Sequence, residues 1–60
     1  MSALAYKVPD AAEAVGLSAE YLRQQIKAGK LGVRYAGRAV LIPADELKSW
    51  LDSLPSEREN

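Results

Sequence analysis

The run SAEYLRQQIKAG at residues 18–29 most strongly constrains the fold, because it marks both ends and one side of a short helix. Ser18 is a residue type that caps a helix by accepting a hydrogen bond from a free backbone N–H. Leu22 and Ile26 lie four residues apart and give the helix one apolar stripe. Gly29 can adopt the left-handed conformation that ends a helix. The run therefore predicts one helix that packs on a core through a single side.

The opposite side of this helix, which we expect over about residues 19–28, is polar. At about 100° per residue, four polar side chains lie roughly 100–200° around the axis from Leu22. These residues are Glu20, Arg23, Gln24 and Lys27. Cations, amides and carboxylates can bind phosphate oxygens and base edges, so this side is typical of a DNA-reading helix.

The sequence predicts two further short helices, one before the helix at about residues 19–28 and one near the end of the chain. Apolar residues at helical spacing predict the first helix from near Val8 to before Gly16, with Pro9 in its first turn. The last helix follows Pro43 and ends at Pro55, with acidic residues near its start. The apolar stripes are Val8, Ala11, Ala12 and Val15 in the first helix, and Leu47, Trp50, Leu51 and Leu54 in the last.

Between the second and last helices the sequence predicts a β-hairpin. The segments 31–35 and 39–42 are rich in β-branched or aromatic residues and flank the turn candidate Ala36-Gly37-Arg38. Val40 and Ile42 share one face of the second strand, with Leu41 on the other. The turn type stays open, and either Val33 and Tyr35 or Arg34 and Ala36 could face the core.

The predicted fold class is mainly α with a small β-hairpin, in the order helix, helix, hairpin wing, helix. We expect one domain over residues 1–60, with an ordered core at about 6–54 and flexible tails at 1–5 and 56–60. The predicted core is Val8, Ala12, Val15, Leu17, Leu22, Ile26, Val40, Ile42, Leu47, Trp50 and Leu51.

Composition excludes several classes of function. The 60 residues include no cysteine and no histidine, so a disulfide framework, a thiolate metal site and a histidine base are excluded. A single small core leaves little room for a catalytic pocket, so an enzyme is not expected and no cofactor is implied. Neither a signal peptide nor a run of about 20 apolar residues is present, which favours a soluble cytoplasmic protein without a membrane partner.

The formal net charge is zero, but the charges are unevenly distributed. Residues 18–42 contain five basic side chains and one acidic side chain, a net charge of +4. The remaining residues therefore carry −4. A basic centre between acidic ends fits an electrostatic footprint for DNA on one face, although basic residues also solvate small domains.

Five short motifs, in order and at consistent spacing, resemble those of a known family. They are Asp10-Ala11-Ala12, Gly16-Leu17-Ser18, Gly29, Gly37-Arg38, and the stretch from Glu46 to Leu51. Over about residues 6–51 the chain resembles the small winged helix-turn-helix proteins of the excisionase family, which share the DNA-binding architecture of MerR-type regulators.

The chain departs from the family pattern at three places. Lys7 stands where a capping Ser or Thr is common, and Ala39 leaves the wing tip with one arginine, Arg38. Gln25 replaces a common aliphatic residue, and it either borders the core or reaches for DNA.

The resemblance implies that the second helix enters the major groove and that the wing reaches an adjacent minor groove. Gln24 could then pair with adenine, and Arg23 with guanine or phosphate. Simpler alternatives are that Tyr21 borders the core and that Gln24 and Arg38 are only solvated. The implied DNA-binding residues are Tyr21, Arg23, Gln24, Lys27, Lys30, Arg34 and Arg38.

Three functional hypotheses follow. The first is a phage or prophage excisionase-type protein, a recombination directionality factor that binds double-stranded DNA beside copies of itself and assists a site-specific recombinase (an integrase). The second is a small transcriptional repressor or activator with the same contacts. The third is an adaptor that binds proteins instead of DNA, which a weak dependence of affinity on salt would reveal.

Overall fold

The computed structural model describes residues 3–58, which form three helices and a three-stranded antiparallel sheet. This confirms the predicted class, mainly helical with a hairpin wing. None of the helices in the described residues has the length and apolar character needed to cross a membrane. In chain order the elements are β1 (Ala5–Lys7), α1 (Val8–Val15), α2 (Ala19–Lys27), β2 (Arg34–Ala36), β3 (Ala39–Pro43) and α3 (Ala44–Ser53).

Helix α2 begins and ends where its sequence predicts. The Ser18 hydroxyl oxygen accepts a hydrogen bond of 3.1 Å from the backbone N–H of Tyr21. Gly29 has a φ of 76°, and its N–H donates to the Ile26 carbonyl at 3.0 Å. The N–H of the following residue, Lys30, donates to the Gln25 carbonyl at 2.9 Å, which completes a Schellman motif. These bonds satisfy backbone groups that a helix end leaves free, so both ends are fixed.

Prolines set the boundaries of the other two helices. Pro9 lies in the first turn of α1, and Lys7, the residue before this helix, makes no side-chain cap bond. Helix α3 ends at Ser53 because Leu54, which precedes Pro55, adopts an extended backbone with φ −71° and ψ 150°.

The hairpin is shorter than predicted on its first strand. Strand β2 begins at Arg34, whereas Leu31 lies in the preceding loop and is buried in the core. The turn is the pair Gly37-Arg38, since Ala36 belongs to the strand. Gly37 has a φ of 62° and no described non-glycine residue has a positive φ, which is the pattern of a type II′ turn.

The structure contains a strand that the sequence analysis did not predict. Strand β1 pairs antiparallel with β3, with Tyr6 opposite Ile42, so that β3 is the central strand in the order β1-β3-β2. The Ala44 N–H also donates to the Leu4 carbonyl at 2.9 Å. The expected tail over residues 1–5 therefore contributes Ala5 to the sheet. The parts of the two expected tails at residues 1, 2, 59 and 60 lie outside the described residues.

The core lies between the helices and the inner face of the sheet, and its composition differs from the prediction in both directions. Ala11 and Leu31 are buried although the predicted core did not include them, and two predicted leucines are exposed. Leu17 and Leu51 were expected inside but are 40% and 44% exposed. Leu17 follows Gly16 in the turn between α1 and α2, and Leu51 lies on α3 beside the buried Trp50. The buried residues are Val8, Ala11, Ala12, Leu22, Leu31, Ile42, Leu47 and Trp50, with Val15, Ile26 and Val40 partly buried against them.

The neighbours Trp50 and Leu51 provide a direct test of this core. Replacing Trp50, which is 4% exposed, by alanine should lower the free energy of unfolding by about 3–5 kcal/mol, most of the stability of so small a domain. The control Leu51→Ala should cost less than about 1 kcal/mol. Urea unfolding followed by far-UV circular dichroism measures both. Equal losses in the two variants would contradict the packing.

Candidate nucleic-acid interface

The flank of α2 that faces the wing brings two predicted residues together. Arg23 and Lys27 lie one helical turn apart, and both border a depression between α2 and the hairpin. Its floor is apolar, and Tyr35 closes it from strand β2. The lining residues are Val8, Arg23, Ile26, Lys27, Tyr35 and Val40.

A second depression continues this surface toward the first strand. It shares Val8, Arg23 and Val40 with the first and adds Lys7, Pro9 and Ala39. We call the exposed groups around the two depressions, Lys7, Arg23, Lys27 and Tyr35, the wing-side surface. Three cations thus border one continuous apolar floor. This arrangement can hold a polyanion whose backbone also presents the C–H groups of its sugars.

The cations of the wing-side surface are not neutralised by described carboxylates. Within residues 3–58, the ion pair lies on α3, where Lys48 Nζ is 3.1 Å from Asp52 Oδ2. Lys7, Arg23 and Lys27 therefore leave a local positive charge on a molecule whose formal net charge is zero.

Arg38 lies at the tip of the wing. It is exposed in the Gly37-Arg38 turn, immediately before Ala39, which lines the second depression. The hairpin strands that carry this turn therefore also build the wall of the wing-side surface. The contact of Arg38 with DNA stays a prediction.

Gln24 lies on the exposed side of α2, where its amide faces a neighbouring carboxylate. Its Nε2 donates to Glu20 Oε2 at 3.5 Å, near the limit for a hydrogen bond. So long a contact between exposed groups leaves the Gln24 amide available for another partner.

Tyr21 and Lys30 lie instead beside α3, in a recess on the other flank of α2. The Tyr21 ring packs 6.4 Å from the Trp50 ring, centroid to centroid, at an interplanar angle of 53°. Tyr21 thus borders the core, as the simpler alternative proposed, and it is still 40% exposed. The residues that line this recess are Tyr21, Gln25, Lys30, Trp50, Ser53, Leu54 and Pro55.

Gln25 borders the core and holds α2 to α3. The indole Nε1 of the buried Trp50 donates to Oε1 of the partly buried Gln25 at 3.1 Å. The structure thus favours the first of the two alternatives for Gln25. One flank of α2 is fixed to α3, and the flank with Arg23 and Lys27 is left exposed.

Arg34 lies away from the wing-side surface. It pairs with Leu41 in the sheet, whereas Tyr35 pairs with Val40, so the side chains of Arg34 and Tyr35 extend from opposite faces. Arg34 lines a separate depression that also contains Glu46. An acidic neighbour reduces the positive potential at this position.

Sequence reasoning missed Lys7 and Tyr35 as members of the candidate interface. Lys7 was considered only as a poor helix cap, and the orientation of Tyr35 was left open. In the structure Tyr35 pairs with the inward-facing Val40 and shares its face. The sequence left the turn open, so it did not fix this pairing. The position of Lys7 depends on β1, which was not predicted.

A three-helix fold with a hairpin wing, and with cations on the helix after the tight turn, defines the winged helix-turn-helix class of DNA-binding domain. A family model described as "Helix-turn-helix domain" matches residues 5–55. The chain therefore belongs to this family, which includes excisionase-like DNA-binding proteins. No curated protein and no solved structure gave a significant match. Family membership supports DNA binding rather than enzymatic activity.

The Gln25–Trp50 bond predicts a specific pattern of stability. Gln25→Leu should lower the free energy of unfolding by about 1–3 kcal/mol, because it leaves the Trp50 N–H without its partner. Adding Trp50→Phe to this variant removes the donor as well, so the cost of the second change should be smaller than in the wild type. Urea unfolding of the wild type, the two single variants and the double variant measures this coupling. Gln24→Leu, at an exposed position of the same helix, is the control. Additive costs would show that the bond does not contribute.

Proposed function

We propose that this protein is a sequence-specific DNA-binding architectural protein of the excisionase type, a recombination directionality factor. It binds adjacent sites on double-stranded DNA, bends the DNA and favours excision by a site-specific recombinase. The observation that carries this proposal is the position of Arg23 and Lys27 beside the wing, on one exposed surface.

The dimensions of the elements support DNA as the partner. A helix with its side chains is about 10–12 Å across and the major groove is about 12 Å wide, so α2 fits the groove. The wing then extends beyond the sugar–phosphate backbone, and Arg38 at its tip suits a narrow, electronegative minor groove. Helix α3 and the bond to Trp50 hold α2 from its other side.

The predicted residues take different roles in this arrangement. Arg23 and Gln24 read base edges, with Arg23 also able to bind phosphate, and Lys27 binds phosphate. Tyr21 and Lys30 would meet the backbone beside α3, and Arg34 would contribute only where DNA passes the outer face of the wing. Each of these roles is part of the proposal.

Cooperative binding follows from the size and charge of the protein. A single small module forms an interface of about 600–1,000 Å², and a formal net charge of zero gives no long-range attraction to DNA. Binding to one isolated site should therefore be weak, and neighbouring copies should strengthen it. An integrase bound nearby is the other expected partner, and the cytoplasm, where such DNA lies, is the expected compartment.

Footprinting on the DNA next to the gene that encodes the protein tests this function. We expect protection of several adjacent sites in an attachment region, filled cooperatively, and no protection by an Arg23→Ala/Lys27→Ala variant. Tight, non-cooperative protection of one site would contradict the cooperative arrangement. Protection of a promoter would favour the small transcriptional regulator, and affinity that changes little with salt would favour a protein-binding adaptor.

Arg38→Ala tests the wing separately from the fold. The side chain is exposed at the turn, so the free energy of unfolding should change by no more than about 0.5 kcal/mol. DNA affinity should fall, and its dependence on salt should become shallower, because one phosphate-facing cation is lost. Fluorescence anisotropy across a salt series measures both quantities. Retained affinity at physiological salt would exclude the wing contact.

A further inference from the structure

We propose that Tyr35 is a DNA-contact residue that binds a backbone phosphate through its hydroxyl, at the point where the DNA strand passes between α2 and the wing. This inference rests on the proposed function and adds a residue outside the set that the sequence predicted. It depends on the exposure of Tyr35, its orientation and its neighbours.

Tyr35 is largely exposed, although it lies on the face of the sheet that packs on the core. Tyr35 is 70% exposed, the highest value among the large hydrophobic residues within the described helices and strands. Its pairing partner Val40 packs against the core, and so does Tyr6, the tyrosine of β1. Tyr35 therefore contributes little to the core, although it lies on the same face of the sheet as these residues.

The neighbours of Tyr35 match the chemistry of a DNA backbone. Arg23 and Lys27 border the same depression, and Ile26 and Val40 form part of its floor. A phosphate held by these cations would lie beside the tyrosine ring, whose hydroxyl can donate a hydrogen bond to a phosphate oxygen. The apolar floor would meet the deoxyribose carbons. Tyr35 thus links α2 and the wing into one contact with a single DNA strand.

A neutral donor leaves a different signature from a cation. Binding of a phosphate by Lys27 releases counterions, so its loss should make the slope of log affinity against log salt shallower by about 0.9. Tyr35 carries no charge, so its loss should lower affinity equally at every salt concentration. A plot of log affinity against log salt that runs parallel to the wild-type plot therefore indicates a lost hydroxyl contact. A shallower plot indicates a change in electrostatic attraction.

Anisotropy titrations with a labelled mixed-sequence duplex test the proposal, because phosphate contacts do not require a known target sequence. A duplex of about 20 base pairs, two turns of B-DNA, is titrated from about 50 to 200 mM salt. Tyr35→Phe should weaken binding about tenfold, and Tyr35→Ala further, both with the wild-type slope. Tyr6→Phe, on the partly buried tyrosine of β1, is the matched control and should bind like the wild type.

The outcomes distinguish this inference from the proposed function. Unchanged affinity of Tyr35→Phe, or a changed slope in either Tyr35 variant, would overturn the hydroxyl contact while DNA binding by Arg23 and Lys27 stands. Wild-type protein that shows no salt-dependent binding, with Lys27→Ala indistinguishable from it, would overturn both. Urea unfolding of the Tyr35 variants should match the wild type, since an exposed side chain contributes little to stability.

Discussion

Strand β3 is the element on which the rest of the structure depends, because it is paired along both edges and covered on one face. Strands β1 and β2 bond to its two sides, and α1 and α3 pack against it. Ile42, one residue from the end of this strand, is fully buried, as is Leu22 of α2. A chain of 60 residues can bury only about 60% of its unfolded surface, so one central strand provides a packing surface that α1 and α3 share. The wing shares β3 with the rest of the sheet, and this strand fixes the position of the wing on the core.

Local sequence was enough to predict the helices, because their signals lie within a few residues of each other. Ser18 and Gly29 mark α2, and Pro55 marks the end of α3 through its effect on the residue before it. Strand β1 could not be predicted in this way. It has only three residues, and the strand that pairs with Tyr6 lies far along the chain at Ile42. Periodicity likewise could not show that Leu51, which shares the apolar stripe of α3, is exposed.

The candidate site was predictable where it is built from one helix. Arg23 and Lys27 are four residues apart, so helical geometry alone places them on the same flank. Lys7 and Tyr35 join them only through strand pairing, which the sequence did not determine. The two flanks of α2 also have different partners, since Gln25 is bonded to Trp50 on the other side. Helical spacing shows that residues share a face, but tertiary packing decides which face is left exposed.

The early position of β1 in the chain has a consequence for the integrity of the protein. Proteolytic trimming that removes residues up to Lys7 would leave the sequence of all three helices in the chain and would uncover one edge of β3. A bare strand edge presents unpaired N–H and C=O groups that can pair with another chain. The trimmed protein would then be prone to aggregate by edge-to-edge association, although Arg23, Gln24 and Lys27 of α2 would still be present.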